Sequence, residues 1–406
     1  MKQDLDHLMA ERGLDAAVVS GLTYGNPTLI YILNGAAVSG GIVVKKRGEQ
    51  AAFIHSPIER DEAVASGLRL INRGKYNMSA ILEEKGNMLD ATVELYRRIF
   101  AELDVHGEVA FYGMSDQGRA YLLLRALEEA LPDIHVCAEY EEGLFDVARA
   151  TKDADEIAQV RQVARLTCEV VAETVEFLRR HPVREETLVN ADGKPLTVGQ
   201  VKQHIHRLLA ERELEDPEGV IFAIGRDAGV PHSKGRADDP LRLGQTIVYD
   251  LYPRAPSGYF FDVTRTFCLG YAPPEVERAY QDVADCLDGV IGAVRVGVET
   301  KQLQRVACTI LSGRGHATIA ENPQTEEGYN HVISHGLGLA VHEEPNFADA
   351  SSNHQTLQPG HLFTVEPGVY YPSRGYGVRL EDVVWLDETG QLHNLTPLPK
   401  QLVVDM

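Results

Sequence analysis

Ile247-Val248-Tyr249-Asp250, followed by Phe261-Asp262-Val263-Thr264-Arg265-Thr266, is the stretch on which the reading of this chain turns. Both flanks are β-branched and aromatic, and the segment between them, Pro253-Arg254-Ala255-Pro256-Ser257-Gly258, consists largely of turn formers. The spacing predicts a β-hairpin centred on Pro256, with Asp250 directly opposite Asp262. Side chains alternate along a strand, so both carboxylates lie on one face. Directly opposed residues hold their Cβ atoms roughly 4.5–5.5 Å apart, where two bare carboxylates repel. A solvated acidic turn would tolerate such a pair. Apolar neighbours on both strands predict burial instead, and a buried pair needs a proton or a cation between its members.

Around this hairpin lie 406 residues, enough for two domains, with the 44% apolar and 24% charged content of a globular protein. A net charge of -21 disfavours nucleic acid and anionic membrane surfaces as partners. The five cysteines, Cys137, Cys168, Cys268, Cys286 and Cys308, include no C-x-x-C pair, which argues against a disulfide framework or a zinc ribbon. The opening MKQDLDHLMAERG lacks a signal-peptide core, and no apolar run approaches the roughly 20 residues of a membrane span. The expectation is a cytoplasmic protein.

Residues 1–146 alternate short strand patterns (Ala17-Val19, Gly41-Val44, Ala51-Ile54, Val109-Tyr112) with helical ones (Ile81-Leu103, Tyr121-Leu131), as in an α/β domain. The second domain is read as 147–406. Asp153 and Glu156 form a capping-box pattern that opens a long helix, whose apolar face carries Ile157, Val160, Ala164, Val171, Val175 and Leu178. Thr197 and Gln200 open a second helix in the same way, before strands near 219–225 and 245–269. After Pro273-Pro274 the order recurs: helices near 275–294 and 300–311, then strands near 333–341, 361–371 and 377–387. Two helices followed by sheet, twice over, suggest two pseudo-symmetric halves.

Three further segments carry polar residues inside apolar runs. They are Tyr329-Asn330-His331-Val332-Ile333-Ser334-His335-Gly336-Leu337-Gly338-Leu339 with His342-Glu343-Glu344-Pro345, Phe363-Thr364-Val365-Glu366-Pro367-Gly368-Val369-Tyr370, and Gly377-Val378-Arg379-Leu380-Glu381-Asp382. Each alone has a bland reading: a structural histidine, a polar turn, an ion pair along a strand. Taken together with the hairpin they supply four carboxylates and one imidazole, each expected within an apolar strand. This hard, oxygen-rich set suits two divalent cations. Glu366 and Glu381 would bridge or flank them, and Asp250 would bind one with both oxygens. His342-Glu343 is not a zincin helix, since position 346 is Asn.

These residues resemble the pita-bread metallopeptidase family, which holds methionine aminopeptidase, prolidase and aminopeptidase P. The resemblance covers about residues 150–400 and rests on the order Asp, Asp, His, Glu, Glu together with the D-x-T-R-T-F, H-G-L-G, E-P-G and R-x-E-D runs. It implies an α+β protein: a C-terminal pita-bread domain, a pseudo-symmetric antiparallel sheet with flanking helices, behind an N-terminal α/β domain like that of prolidase, aminopeptidase P and creatinase. The implied metal ligands are Asp250, Asp262, His335, Glu366 and Glu381. They would hold two divalent ions per chain, Mn²⁺ or Co²⁺ in preference to Zn²⁺ or Fe²⁺. The implied reaction is Xaa-Pro aminopeptidase or Xaa-Pro dipeptidase hydrolysis by a metal-bridging hydroxide. Glu366 would be the proton shuttle, and His232 and His342 would contact substrate and stabilise the intermediate. His331 would lie near the substrate proline. Arg379 and Thr264 would support the ligand carboxylates, Thr264 acting on Asp262. The expected partners are small peptides with proline second and another copy of the chain in a homodimer.

Ser334 stands where many relatives have glycine, and Phe261 where Ser or Thr is commoner. Some prolidases hold a dipeptide's carboxylate with an arginine between the positions of His342 and His361. The segment EEPNFADASSNHQTLQPG contains no Arg or Lys, which favours a permissive aminopeptidase over a strict dipeptidase. A metal-free creatinase-like amidinohydrolase and a non-catalytic pita-bread binding module are the alternatives, and the complete ligand set argues against both.

Overall fold

A computed structural model describes residues 4–406. They divide between Arg149 and Ala150 into two compact units. In the first, strands β1 (Ala16–Leu22), β2 (Gly40–Lys46), β3 (Ala52–His55), β4 (Arg69–Asn72), β5 (Gly107–Gly113) and β6 (Ile134–Cys137) form one mixed sheet in the order β4-β3-β2-β1-β5-β6. Val18, Val44, Ile54 and Val109 from this sheet share a core with Tyr96, Ile99 and Phe100 of the helix Met88–Leu103. The single helix expected over 81–103 is two, Met78–Lys85 and Met88–Leu103. Gly86 ends the first at φ +74°, and the Asn87 side chain accepts the Asp90 N–H to start the second.

The second unit opens with the helix Ala154–Arg179, and both halves of the Asp153/Glu156 capping box are made. The Thr197/Gln200 box likewise starts Val198–Ala210. Between these helices β7 (Val183–Arg184) and β8 (Thr187–Leu188) make a short ribbon. The strands β9 (Ile221–Ile224), β10 (Thr246–Leu251), β11 (Val263–Leu269) and β19 (Val403–Val404) form a sheet in the order β19-β11-β10-β9. Along β10 the alternation is clean. Ile247, Tyr249 and Leu251 pack against the two helices, whereas Val248 belongs to a separate small cluster with Ile221 and Ala223. Asp250 shares the Val248 side.

The helices Pro274–Ala293 and Thr300–Gly313 begin the second half. They pack on a core containing Phe363, Val365, Val369, Val378 and Val384. These come from β14 (Leu362–Val365), β15 (Gly368–Tyr371), β16 (Tyr376–Arg379) and β17 (Asp382–Leu386). Together with β12 (His335–Gly336), β13 (Glu343–Asn346) and β18 (Leu392–Asn394), the sheet order is β13-β12-β14-β17-β18, with β15-β16 as a separate ribbon. The strand expected over 333–341 shrinks to the two residues of β12, because residues 337–342 leave the sheet as a loop.

The hairpin differs from expectation in register. Asp250 pairs with Thr264, and Asp262 lies just before β11, diagonal to Asp250. The turn is centred on Ser257, not Pro256. Gly258 N–H donates to Ala255 O at 2.9 Å, and Gly258 takes φ +92°. Arg254 then bridges Phe260, so the whole ladder is displaced by two residues. A shift of two preserves the face, so both aspartates still point the same way.

Candidate active site

Seven chain segments meet at a cavity of about 400 Å³. Asp250, Asp262, His335, Glu366 and Glu381 line it, with His232, His331, His342 and Arg379. Of the five expected ligands, Asp250 and His335 stand in strands; the other three do not. Asp262 precedes β11, Glu366 joins β14 to β15, and Glu381 joins β16 to β17. Where a strand leaves one sheet for another, its side chain is no longer tied to the pleat and can aim into the gap between them. Pro367, which has no N–H to donate to a ladder, reinforces the break after Glu366.

The carboxylates are buried: Asp250 is 7% exposed, Asp262 5% and Glu381 1%. Asp250 Oδ1, Asp262 Oδ1 and Glu381 Oε1 have no hydrogen-bond partner. Burial, then Glu381 and Asp250, raise Asp262 well above the usual carboxylate range. Burial and Glu381 do the same to Glu366 against the opposing Arg379 charge. Burial and Asp250 push Glu381 up to about 8. His335 Nδ1 lies 3.0 Å from Gly336 O and donates to it, which leaves Nε2 as a bare acceptor. That lone pair faces Glu366 Oε1 at 3.5 Å and Asp262 Oδ2 at 3.7 Å. An acceptor aimed at two carboxylate oxygens is repulsive until a proton or a cation sits between them. Among the described residues, Asp262, His335 and Glu381 each bring one ligand atom within 4.8 Å of the others. The donor set therefore fits divalent cations.

The support around the carboxylates differs in one detail from expectation. Thr264 Oγ1 donates to Glu381 Oε2 at 2.8 Å, not to Asp262, because the shifted register moves Thr264 opposite Asp250 and toward Glu381. Arg379 Nε donates to the same Thr264 oxygen at 3.1 Å, and Nη2 donates to Asp250 Oδ2. Arg379 Nη1 reaches Pro231 O at 3.1 Å and Tyr370 OH at 2.9 Å.

Tyr370 closes a chain that sequence reasoning missed, although it stands within the quoted Glu366–Tyr370 run. Its hydroxyl lies 3.1 Å from His331 Nε2, while His331 Nδ1 donates to Val332 O at 2.8 Å. Both ring nitrogens of His331 are thereby engaged, and burial together with the Arg379 charge lowers it to about 3, a neutral ring. His342 stacks edge-on against His335 with centroids 4.4 Å apart, and it and His232 stay exposed to the cavity. Burial lowers His342 and, with the neighbouring His342, lowers His335 to about 3. Glu218, Lys234 and Tyr252 also line the cavity, and no motif marked them.

The model of metallopeptidase family M24 matches residues 158–388. The chain is 31% identical over 256 residues to a probable dipeptidase PepE of Mycobacterium bovis, a match covering 63% of this chain and 61% of that protein. It thus spans less than two thirds of the length of that curated relative. An Xaa-Pro dipeptidase from Bacillus anthracis superposes with a TM-score of 0.76 at 20% identity, covering 100% of this chain and 99% of that one. An X-Pro aminopeptidase from Thermotoga maritima does so at 0.73 and 22%, covering 98% and 99%. The same fold thus serves proteins named for either activity.

Proposed function

The chain belongs to metallopeptidase family M24, and from that premise we propose that it is a metal-dependent exopeptidase acting on Xaa-Pro peptides. The observation that carries the reading is the set of three buried, partnerless carboxylate oxygens beside the bare Nε2 of His335. Asp250, Asp262, His335, Glu366 and Glu381 would hold two divalent ions. When bound, such ions acidify water enough to supply hydroxide near neutral pH and polarise the scissile carbonyl.

The chain's own groups divide the remaining work. Glu366 has the most exposed carboxylate side chain of the three with a comparable value, at 18% against 10% for Asp250 and 6% for Asp262. Water reaches it most easily, so it takes the proton from the attacking water and passes it to the leaving nitrogen. His232 and His342 face the cavity and donate hydrogen bonds to charge developing on the carbonyl oxygen. A proline nitrogen carries no hydrogen in the substrate amide, so its recognition must be by shape. His331 suits that: with both nitrogens engaged, it offers only ring carbon to a neighbouring pyrrolidine ring. Arg379 and Thr264 orient Asp250 and Glu381.

Five free cysteines fit a reducing compartment, in line with a cytoplasmic enzyme. Among the described residues no helix is long and apolar enough to cross a membrane. The test is metal analysis of the purified protein alongside turnover of Xaa-Pro peptides. About two equivalents per chain are expected, with activity lost in EDTA and restored by Mn²⁺ or Co²⁺. Full turnover after stripping would refute the reading, and absence of both metal and cleavage would favour a metal-free relative or a binding module.

A further inference from the structure

Two lysine or arginine side chains line the cavity, Arg379 and Lys234. Arg379 is unavailable to a ligand. It is 3% exposed, and all three guanidinium nitrogens are engaged by Thr264, Pro231, Tyr370 and Asp250. Lys234 is exposed, and its Nζ donates to a single acceptor, the backbone carbonyl of Glu218. An ammonium carries three N–H groups, so two remain for a ligand. Its backbone carbonyl and its ammonium are both engaged. Lys234 O accepts Lys202 Nζ, and the ammonium lies over Gly219, where a Cβ would come within 2.9 Å of Nζ. Gly219 takes φ +84°, a conformation that suits glycine and leaves this space open.

The carboxylates of the lining outnumber these two cations: Glu218 joins Asp250, Asp262, Glu366 and Glu381. A substrate carboxylate entering such a wall needs a cation, and Lys234 is the one positioned to meet it. Lys234 and His232, two residues apart, line the same cavity as the five candidate metal ligands. A dipeptide brings its C-terminal carboxylate into the same cavity as its scissile bond. A longer peptide brings a neutral amide, which gains much less from an ammonium.

We propose that Lys234 binds the C-terminal carboxylate of the substrate and makes dipeptides with proline second the preferred class. The assignment rests on the Xaa-Pro reading above. It also supplies the cation that is missing from the segment after His342.

The test compares Ala-Pro with Ala-Pro-amide, which share a scissile bond and differ in terminal charge, in the Mn²⁺-loaded enzyme. Wild type should prefer the dipeptide in kcat/KM by about ten- to a hundredfold, the scale of one charge-assisted hydrogen bond. Lys234→Met should bring that ratio close to one through a raised KM for the dipeptide, and Lys234→Arg should retain most of it. Turnover of the amide by Lys234→Met also reports that the variant is folded and loaded. A preference that survives in Lys234→Met, or a wild type that treats both substrates alike while cleaving them, overturns the assignment alone. A wild type that cleaves neither overturns the Xaa-Pro reading, and this assignment with it.

Discussion

Replacing Lys152 by Met should damage the enzyme through the loop that carries His342. Lys152 Nζ and Glu343 Oε2 lie 3.1 Å apart, and each side chain is 1% exposed. The other oxygen, Glu343 Oε1, accepts the N–H groups of Leu339 and Ala340 at 3.0 Å each. Glu343 thereby folds the loop 337–342 back on itself, and His342 is the residue immediately before it. Gly338 is the tight point, since a Cβ there would come within 2.5 Å of Glu343 Oε2 and 2.8 Å of Lys152 Cε. Its carbonyl accepts Phe260 N–H at 2.8 Å, tying the loop to the hairpin that leads into Asp262. Removing one partner of a buried ion pair costs about 3–5 kcal/mol. The two backbone donors still solvate the carboxylate, so the lower end, about 3 kcal/mol, applies. For a unit of this size that is a Tm drop of roughly 6–12 °C. A catalytic group misplaced by ~1 Å loses on the order of a hundredfold in rate. The assay is a double-mutant cycle in Mn²⁺-loaded protein, with metal content and Tm measured for every variant. If Lys152 acts through the loop, Lys152→Met should cost little further kcat/KM once His342→Ala is present. Fully additive losses, or a Lys152→Met enzyme with wild-type Tm and turnover, would refute the reasoning.

Glu366→Gln should lower kcat by about 10²–10⁴ while changing KM far less, as expected for loss of a proton carrier; steady-state kinetics with metal content measured in parallel decides this. Thr264→Val deletes the donor to Glu381 and the acceptor for Arg379, and should weaken metal affinity by roughly 10–100-fold with little change in fold, read by metal titration and circular dichroism. In the metal-free protein, Glu381 (to about 8), Asp262 and Glu366 have raised folded pKa values. Between the unfolded and folded values the native state holds more protons than the unfolded one. Stability should therefore be greatest below about pH 4.5 among these contributions and be lost as pH rises toward 8. Urea midpoints across that range, with and without Mn²⁺, check it. A metal-free midpoint that rises over this window would contradict the buried, uncompensated carboxylates.

Local physics made much of the fold legible. The Asp153/Glu156 and Thr197/Gln200 boxes involve groups three residues apart, so their spacing alone implies the helix starts. The repeated order of two helices and a sheet follows from periodicity within each segment. Polar groups interrupting apolar runs made the oxygen-rich set visible, and the family resemblance implied which five of them are the ligands. Failures began where geometry depended on one backbone conformation. Gly258 at φ +92° moved the hairpin centre by one residue and the register by two, and so gave Thr264 to Glu381. Gly86 split a helix that periodicity read as continuous.

The chain by itself determined which residue types were present for chemistry, which face of a strand they occupied, and where helices began. Those properties depend on neighbours a few bonds away. Packing decided that Asp250 meets Arg379, that Lys152 meets Glu343 across 191 positions, and that Lys234 stands at the cavity wall. Such encounters arise when sheets and helices fill a common core, and a one-dimensional pattern carries no record of which distant segments that filling will bring together.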